Sequence, residues 1–153
     1  MINALNAAKY MAREYQDRFG EPITEMKLHK LLYFAQREAL IVNDSPLFPE
    51  KFEGWRFGPV IPSIRYSFAE ICSSITPNID DYSKAVLDET FRRYGDKDPW
   101  SLSRLSHGEY SWQQSRKGIS EYQNSSNDME LNDIRIDAIR VKKRRQMLSD
   151  LCI

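Results

Sequence analysis

His29, His107, Cys72 and Cys152 are the side chains of this chain best suited to serve as nucleophiles, metal ligands or proton shuttles. They stand apart from one another, whereas a structural zinc site needs several Cys and His at close spacing. No CxxC pair or disulfide framework is present, which fits a reducing cytoplasm. A GxSxG elbow, a P-loop, GxGxxG and HExxH are all missing. The expectation is therefore a protein with no catalytic site, no cofactor and no metal. His29, between apolar positions of a predicted helix, reads as a partly buried or surface side chain. His107 precedes Gly108 at a predicted helix end, where an imidazole can bond the last carbonyls and favour the negative end of the dipole. With Trp112 and Arg116 it makes either a packed corner between two short helices or a functional pocket.

Two further groups bear on binding. Trp55-Arg56-Phe57-Gly58-Pro59-Val60-Ile61-Pro62 has neither strand nor helix period. Gly58 opens backbone angles closed to other residues, and Pro59 and Pro62 lock φ near about −65°. Trp55 and Phe57 alternate as in a strand, which favours both pointing inward as core; as surface, Trp, Phe and Arg together are the types enriched at binding hot spots. The basic cluster Arg140, Lys142, Lys143, Arg144 and Arg145 offers a phosphate or an acidic partner a positive patch. At about 100° per residue, however, these side chains wrap a helix rather than form a stripe, and they lie toward a helix C-terminus, where cations are favoured anyway. A solvated helix end is the simpler reading.

The elements that must position these groups read as mostly helical. Leu5, Ala8, Ala12, Tyr15 and Phe19 share one helix face, ended by Gly20 and Pro22. Thr24 is an N-cap for a second helix carrying Leu28, Leu31, Leu32, Ala35 and Ala39, which stops near Asn43-Asp44-Ser45-Pro46. Residues 47–62 contain three prolines and read as short strands or extended chain. Helical spacing resumes through Ile61, Ile64, Phe68 and Ile71. Asp80 or Asp81 caps a helix with Leu87, Phe91 and Tyr94, Asp98-Pro99 opens another, and Ser111 with Gln114 fits a capping box. Residues 120–130 are a polar loop, and a last helix over about 131–150 carries Leu131, Ile134, Ala138 and Val141. The fold class expected is mainly α, a compact single domain over 1–153 with a small extended insert around 47–62.

At 153 residues such a domain buries roughly 70% of the surface its unfolded chain exposes. Charged residues are 29% of the chain and sum to zero, so no whole-protein field attracts nucleic acid or an anionic membrane. The N-terminus lacks the basic start and apolar run of a signal peptide, and no apolar stretch reaches membrane-spanning length. A soluble, cytoplasmic protein is expected, with nucleic acid and membrane both disfavoured as partners.

Three ordered blocks carry a resemblance. Thr24 to Gln36 reads T-E-M-K-L-H-K-L-L-Y-F-A-Q, Phe52 to Pro62 reads F-E-G-W-R-F-G-P-V-I-P, and Leu102-Ser103, His107, Trp112 and Arg116 form the third. Over about residues 5–140 the chain resembles the Panacea antitoxin domain, a phage-associated bacterial family. His29 stands where that family usually has Gln, Gly54 where it has Ala, and Tyr110-Ser111 where a Pro commonly precedes the Trp. The motif residues carried over are Lys27, Leu31, Tyr33, Gln36, Trp55, Gly58, Pro59, Val60, Pro62, His107, Trp112 and Arg116, either structural or toxin-binding.

What the resemblance implies is an antitoxin that neutralises, by direct protein binding, a cognate toxin encoded nearby. One relative acts instead as a proteolytic adaptor delivering its toxin to a cellular protease. For that second role, or for a DNA-binding autorepressor, the basic C-terminal helix is the only candidate surface.

Overall fold

The computed structural model describes residues 1–152; Ile153, the last residue of the expected domain, lies outside them. Helix α1, Ala4–Phe19, starts at Asn3, whose side chain accepts the Asn6 amide, and stops at Gly20, where φ is 72°. Its buried face is Ala4, Ala7, Ala8, Tyr10, Met11 and Ala12; of the expected line Ala8 and Ala12 are buried, Leu5 and Tyr15 are partly buried against the core, and Phe19 is exposed. Alanines let α1 approach its neighbours closely. The large residues move to the rim, where Phe19 is 41% exposed and packs its ring on Tyr15 and Phe91.

Helix α2, Glu25–Asn43, starts as expected at Thr24, whose hydroxyl accepts the Lys27 amide at 3.2 Å. Every residue from Lys27 to Leu40 is buried. A helix covered all round is the axis of the domain, and each fully buried Leu or Phe contributes about 1.5–3 kcal/mol. It is wrapped by α1, by α5 (Asp81–Tyr94), α6 (Pro99–His107) and α8 (Leu131–Leu151), and by a hairpin.

That hairpin is the extended insert. Strands β1, Glu53–Trp55, and β2, Gly58–Val60, pair antiparallel with Trp55 opposite Gly58, so Arg56 and Phe57 form the turn. The polar loop before α8 closes over β1: Gly54 donates to the Asn127 carbonyl and Met129 to that of Phe52, both at 2.8 Å.

Two further local expectations differ from the structure. The helix expected over 61–71 is two, α3 (Pro62–Tyr66) and α4 (Phe68–Ser73), because Ser67 leaves helical geometry at φ −100°, ψ 8°. Asp80 and Asp98 do cap α5 and α6. Ser111, however, is not a cap. Helix α7 runs Tyr110–Ser115 from Glu109, and its first two amides donate to the Asp137 carboxylate of α8 at 2.8 and 2.9 Å. A cap supplied by another helix leaves no trace in the local pattern. Among the described residues there are eight helices and one two-stranded sheet, and no helix is long and apolar enough to cross a membrane.

Candidate functional site

The three sequence blocks meet on the hairpin. A three-residue strand pair is too short to hold itself, and its carbonyls are taken one by one by side chains from the helices. Arg116 donates to Gly54 O at 3.1 Å, Trp112 Nε1 to Trp55 O at 2.8 Å, Ser103 Oγ to Phe57 O at 2.7 Å and Lys30 Nζ to Pro59 O at 3.2 Å. Just beyond β2, the Ile61 amide donates to His29 Nδ1 at 3.3 Å. Gly58 has φ 118°, and a Cβ there would lie 2.5 Å from Lys30 Cε and 2.6 Å from Ser106 Oγ. Only glycine lets the Lys30 stem and α6 come so close beneath the turn.

His29 is therefore neither partly buried nor on the surface as expected. It is 2% exposed, with Nε2 3.4 Å from Glu25. Burial, with Lys30 and Arg65 adding, lowers its pKa to about 3, so it stays neutral and accepts at Nδ1. His107 lies half-buried between α6 and α7. It stacks on Trp112 with ring centres 4.2 Å apart and planes 13° from parallel, with Ser103 Oγ 3.4 Å from its Nε2. Burial lowers its pKa, and the Lys30 and Arg116 charges act the same way. Arg116 also donates to the carbonyls of Ser120 and Gln123 and lies 5.3 Å above the Trp112 ring, so its guanidinium is consumed by backbone.

A second convergence lies under α2. The Tyr33 hydroxyl, fully buried, sits 3.0 Å from Ser111 Oγ and 3.2 Å from both the Glu109 and Asp137 carboxylates. Arg37 pairs with Glu109 and donates to Tyr94 Oη at 2.6 Å. Burial pushes Glu109 up to about 7 against the opposing pull of Arg37, and the neighbouring Asp137 adds to the rise. The two acids meet at one buried hydroxyl, only Glu109 holding the guanidinium, and this ties α2, α7 and α8 together.

The other motif residues are bonded or packed within the fold. Lys27 covers the Tyr15 ring at 4.8 Å, Leu31 is fully buried, and Gln36 clips the 47–48 segment through both ends of its amide. Val60 and Pro59 are buried, and Pro62 opens α3. In the basic cluster, Arg145 is bound to the buried Glu38 at 2.6 Å and Arg140 covers Tyr110 at 5.2 Å. Lys142, Lys143 and Arg144 remain exposed.

Trp55 and Phe57 require a correction. Strand alternation breaks at the turn, so Phe57 is a turn residue, 42% exposed, and Trp55 is half-buried. Phe57 meets the exposed Trp100 edge-on at 5.5 Å, Arg56 covers Phe57 at 4.9 Å and Arg65 covers Trp55 at 5.2 Å. Between these side chains and the start of α2 opens a cavity of about 510 Å³, with Lys30 and His29 at its base. Lys30, Arg37, Glu38, Glu109 and Asp137 were not singled out as site residues from sequence. For Lys30, Arg37 and Glu38 the available signal was a charge inside a helix with a wide apolar face; Glu109 and Asp137 had none.

Among the described residues no group of three His, Cys, Asp or Glu is placed to hold a metal ion. The family model described as antitoxin SocA-like, Panacea domain, matches residues 28–113. Antitoxin SocA of Caulobacter vibrioides (strain NA1000 / CB15N) is 44% identical over 48 residues, which are 31% of this chain and 26% of that protein. The aligned stretch thus spans about a quarter of the curated relative's length. No solved structure matches the chain at a significant level.

Proposed function

The chain belongs to the antitoxin SocA-like family of Panacea-domain proteins, and on that premise we propose that it is an antitoxin that neutralises a cognate toxin by binding it directly. The observation that carries this reading is the division of labour at the hairpin. Ser103, Trp112 and Arg116 of the third block are spent on the carbonyls of the hairpin, while Phe57 and the adjoining Trp100 are exposed and Trp55 and Arg56 are half-exposed beside them. Aromatics and arginine on a rigid support are the composition of a binding hot spot, because they lose little freedom on docking. The mechanism is occlusion over an interface of about 800 Å² per partner, with no bond made or broken. It operates in the cytoplasm, and residues 1–153 act as one unit.

Co-expression with the protein encoded beside this gene tests the proposal. Growth rescue and co-elution in gel filtration are expected; a neighbouring toxin that neither binds nor is rescued refutes it. A second reading, delivery of the toxin to a protease, draws on the far end of α8. There Lys142, Lys143 and Arg144 are exposed, as are Met147, Leu148 and Leu151. Removing residues 140–153 would then spare toxin binding and abolish toxin degradation.

A further inference from the structure

Lys30 is a buried amine with no counter-charge in contact among the described residues. Its side chain is 2% exposed, its ammonium has three donors, and among the described residues its one hydrogen bond is to Pro59 O at 3.2 Å. Among the described residues no carboxylate lies within salt-bridge distance of it, and Glu25, on the same helix, is engaged by Arg65 at 3.0 Å. A buried ammonium without a counter-charge is costly, and such groups are ordinarily paired. This one lies at the base of the 510 Å³ cavity, a volume within the ~300–1,000 Å³ range of binding sites.

The walls define what fits. Met26, Trp55, Phe57 and Val60 supply apolar surface, while Arg56 and Arg65 add positive charge at the mouth. Arg56, Arg65 and the Lys30 amine, which a bound anion would hold protonated, face one already-paired carboxylate, so the cavity is complementary to a negative group carried on an apolar stem. Its mouth is continuous with the exposed Phe57–Trp100 surface, so a protein covering that surface is positioned to insert a side chain.

We propose that this cavity is the anchor point of the antitoxin interface, taking an acidic segment of the toxin whose Asp or Glu carboxylate pairs with Lys30 Nζ while its apolar flank packs on Trp55 and Phe57. The inference rests on the antitoxin reading and adds to it the chemistry recognised. Gly58 acquires a second purpose here, since the absent side chain is what keeps the Lys30 stem beneath the turn. The groups facing Lys30 are Glu25 and His29 on α2, Arg56 on the hairpin, Arg65 on α3 and His107 on α6. Of these only Glu25 is acidic, and it is engaged by Arg65.

The test titrates the toxin encoded beside this gene into the full chain by calorimetry. Lys30→Met keeps the stem and removes the charge, and Phe57→Ser removes an exposed wall without touching the core. Each is expected to weaken binding about 10- to 100-fold, the range for losing a charge-assisted hydrogen bond or an interface anchor. One Asp→Asn or Glu→Gln change in the toxin should weaken the wild type similarly and add little to Lys30→Met. Failure of the wild-type chain to bind the toxin defeats the antitoxin reading itself. Wild-type binding with undiminished affinity of a folded Lys30→Met overturns only the anchor proposal. If Lys30→Met does not fold, Phe57→Ser decides in the same way. Micromolar binding of sodium 3-phenylpropionate that leaves toxin affinity unchanged would also overturn it, by making the cavity a small-molecule site.

Discussion

Asp137→Ala should lower stability by about 2–3 kcal/mol, although Asp137 touches neither the hairpin nor the cavity. Its carboxylate accepts the Tyr110 and Ser111 amides at 2.8 and 2.9 Å and sits 3.2 Å from the Tyr33 hydroxyl. Ser111 is fully buried, so its orphaned amide loses a hydrogen bond to a charged group, about 1.5–3 kcal/mol. Tyr110 is half-buried and water can replace its partner, leaving a smaller loss of about 0.5–1 kcal/mol, in the lower range for a helix cap. Tyr33 keeps Ser111 and Glu109, and relief of the repulsion between Asp137 and Glu109 offsets part of the sum. Asp137→Asn retains one acceptor and should lose about half as much. Urea denaturation measures both, and in a domain this size the Ala variant should melt about 5–10 °C lower. Carbon NMR of the Glu109 carboxyl should also show its pKa falling from about 7 in both variants. A loss under about 1 kcal/mol, or an unmoved Glu109, would refute the account of α7 being capped from α8.

Gly58→Ala must adopt φ 118° and place its methyl 2.5 Å from Lys30 Cε, so a loss of about 2–4 kcal/mol is expected by thermal melting. Lys30→Met should leave the fold as stable or more so, since it replaces a buried unpaired charge by a similar volume. Lys30 is lowered from its ordinary 10.5 to about 7, so in that window the unfolded chain holds the proton that the folded chain has released. Stability should therefore rise from pH 7 to 10 in the wild type, a rise that Lys30→Met removes in pH-resolved denaturation. Glu109 has the opposite sign. Its folded value of about 7 exceeds the ordinary 4.5, so its contribution is full at acid pH and is lost as pH rises from about 4.5 to 7. The difference curve between wild type and Glu109→Gln should show that decline and be flat above pH 8.

Local chemistry was readable along the chain. Thr24, Asp80 and Asp98 cap the helices they precede, Gly20 ends α1, and the proline-rich stretch over 47–62 is the extended insert. These outcomes depend on a few neighbouring residues: a side-chain oxygen two or three positions before an amide, or a φ open only to glycine. The three blocks that place the chain in its family are likewise linear strings, and the family model covers residues 28–113. So the amino-acid sequence alone determined the helical class, the caps and the kinship.

Only the tertiary structure decided what the charged and aromatic residues do. Alternation along a strand makes Trp55 and Phe57 core, but the two-residue turn Arg56–Phe57 follows Trp55 and sends Phe57 outward. Helical position makes His29 an edge residue, but the hairpin folded across α2 buries it and lowers its pKa to about 3. Asp137 caps a helix more than 20 residues earlier in sequence, and Arg145 answers Glu38 across 107 positions. Burial and partnership of a charge are properties of what packs against it, and those neighbours are set by chain closure rather than by adjacent residues. Lys30 illustrates this most fully: an ordinary lysine in the second helix becomes, once Gly58 and α6 close over it, a buried cation at the base of an open cavity.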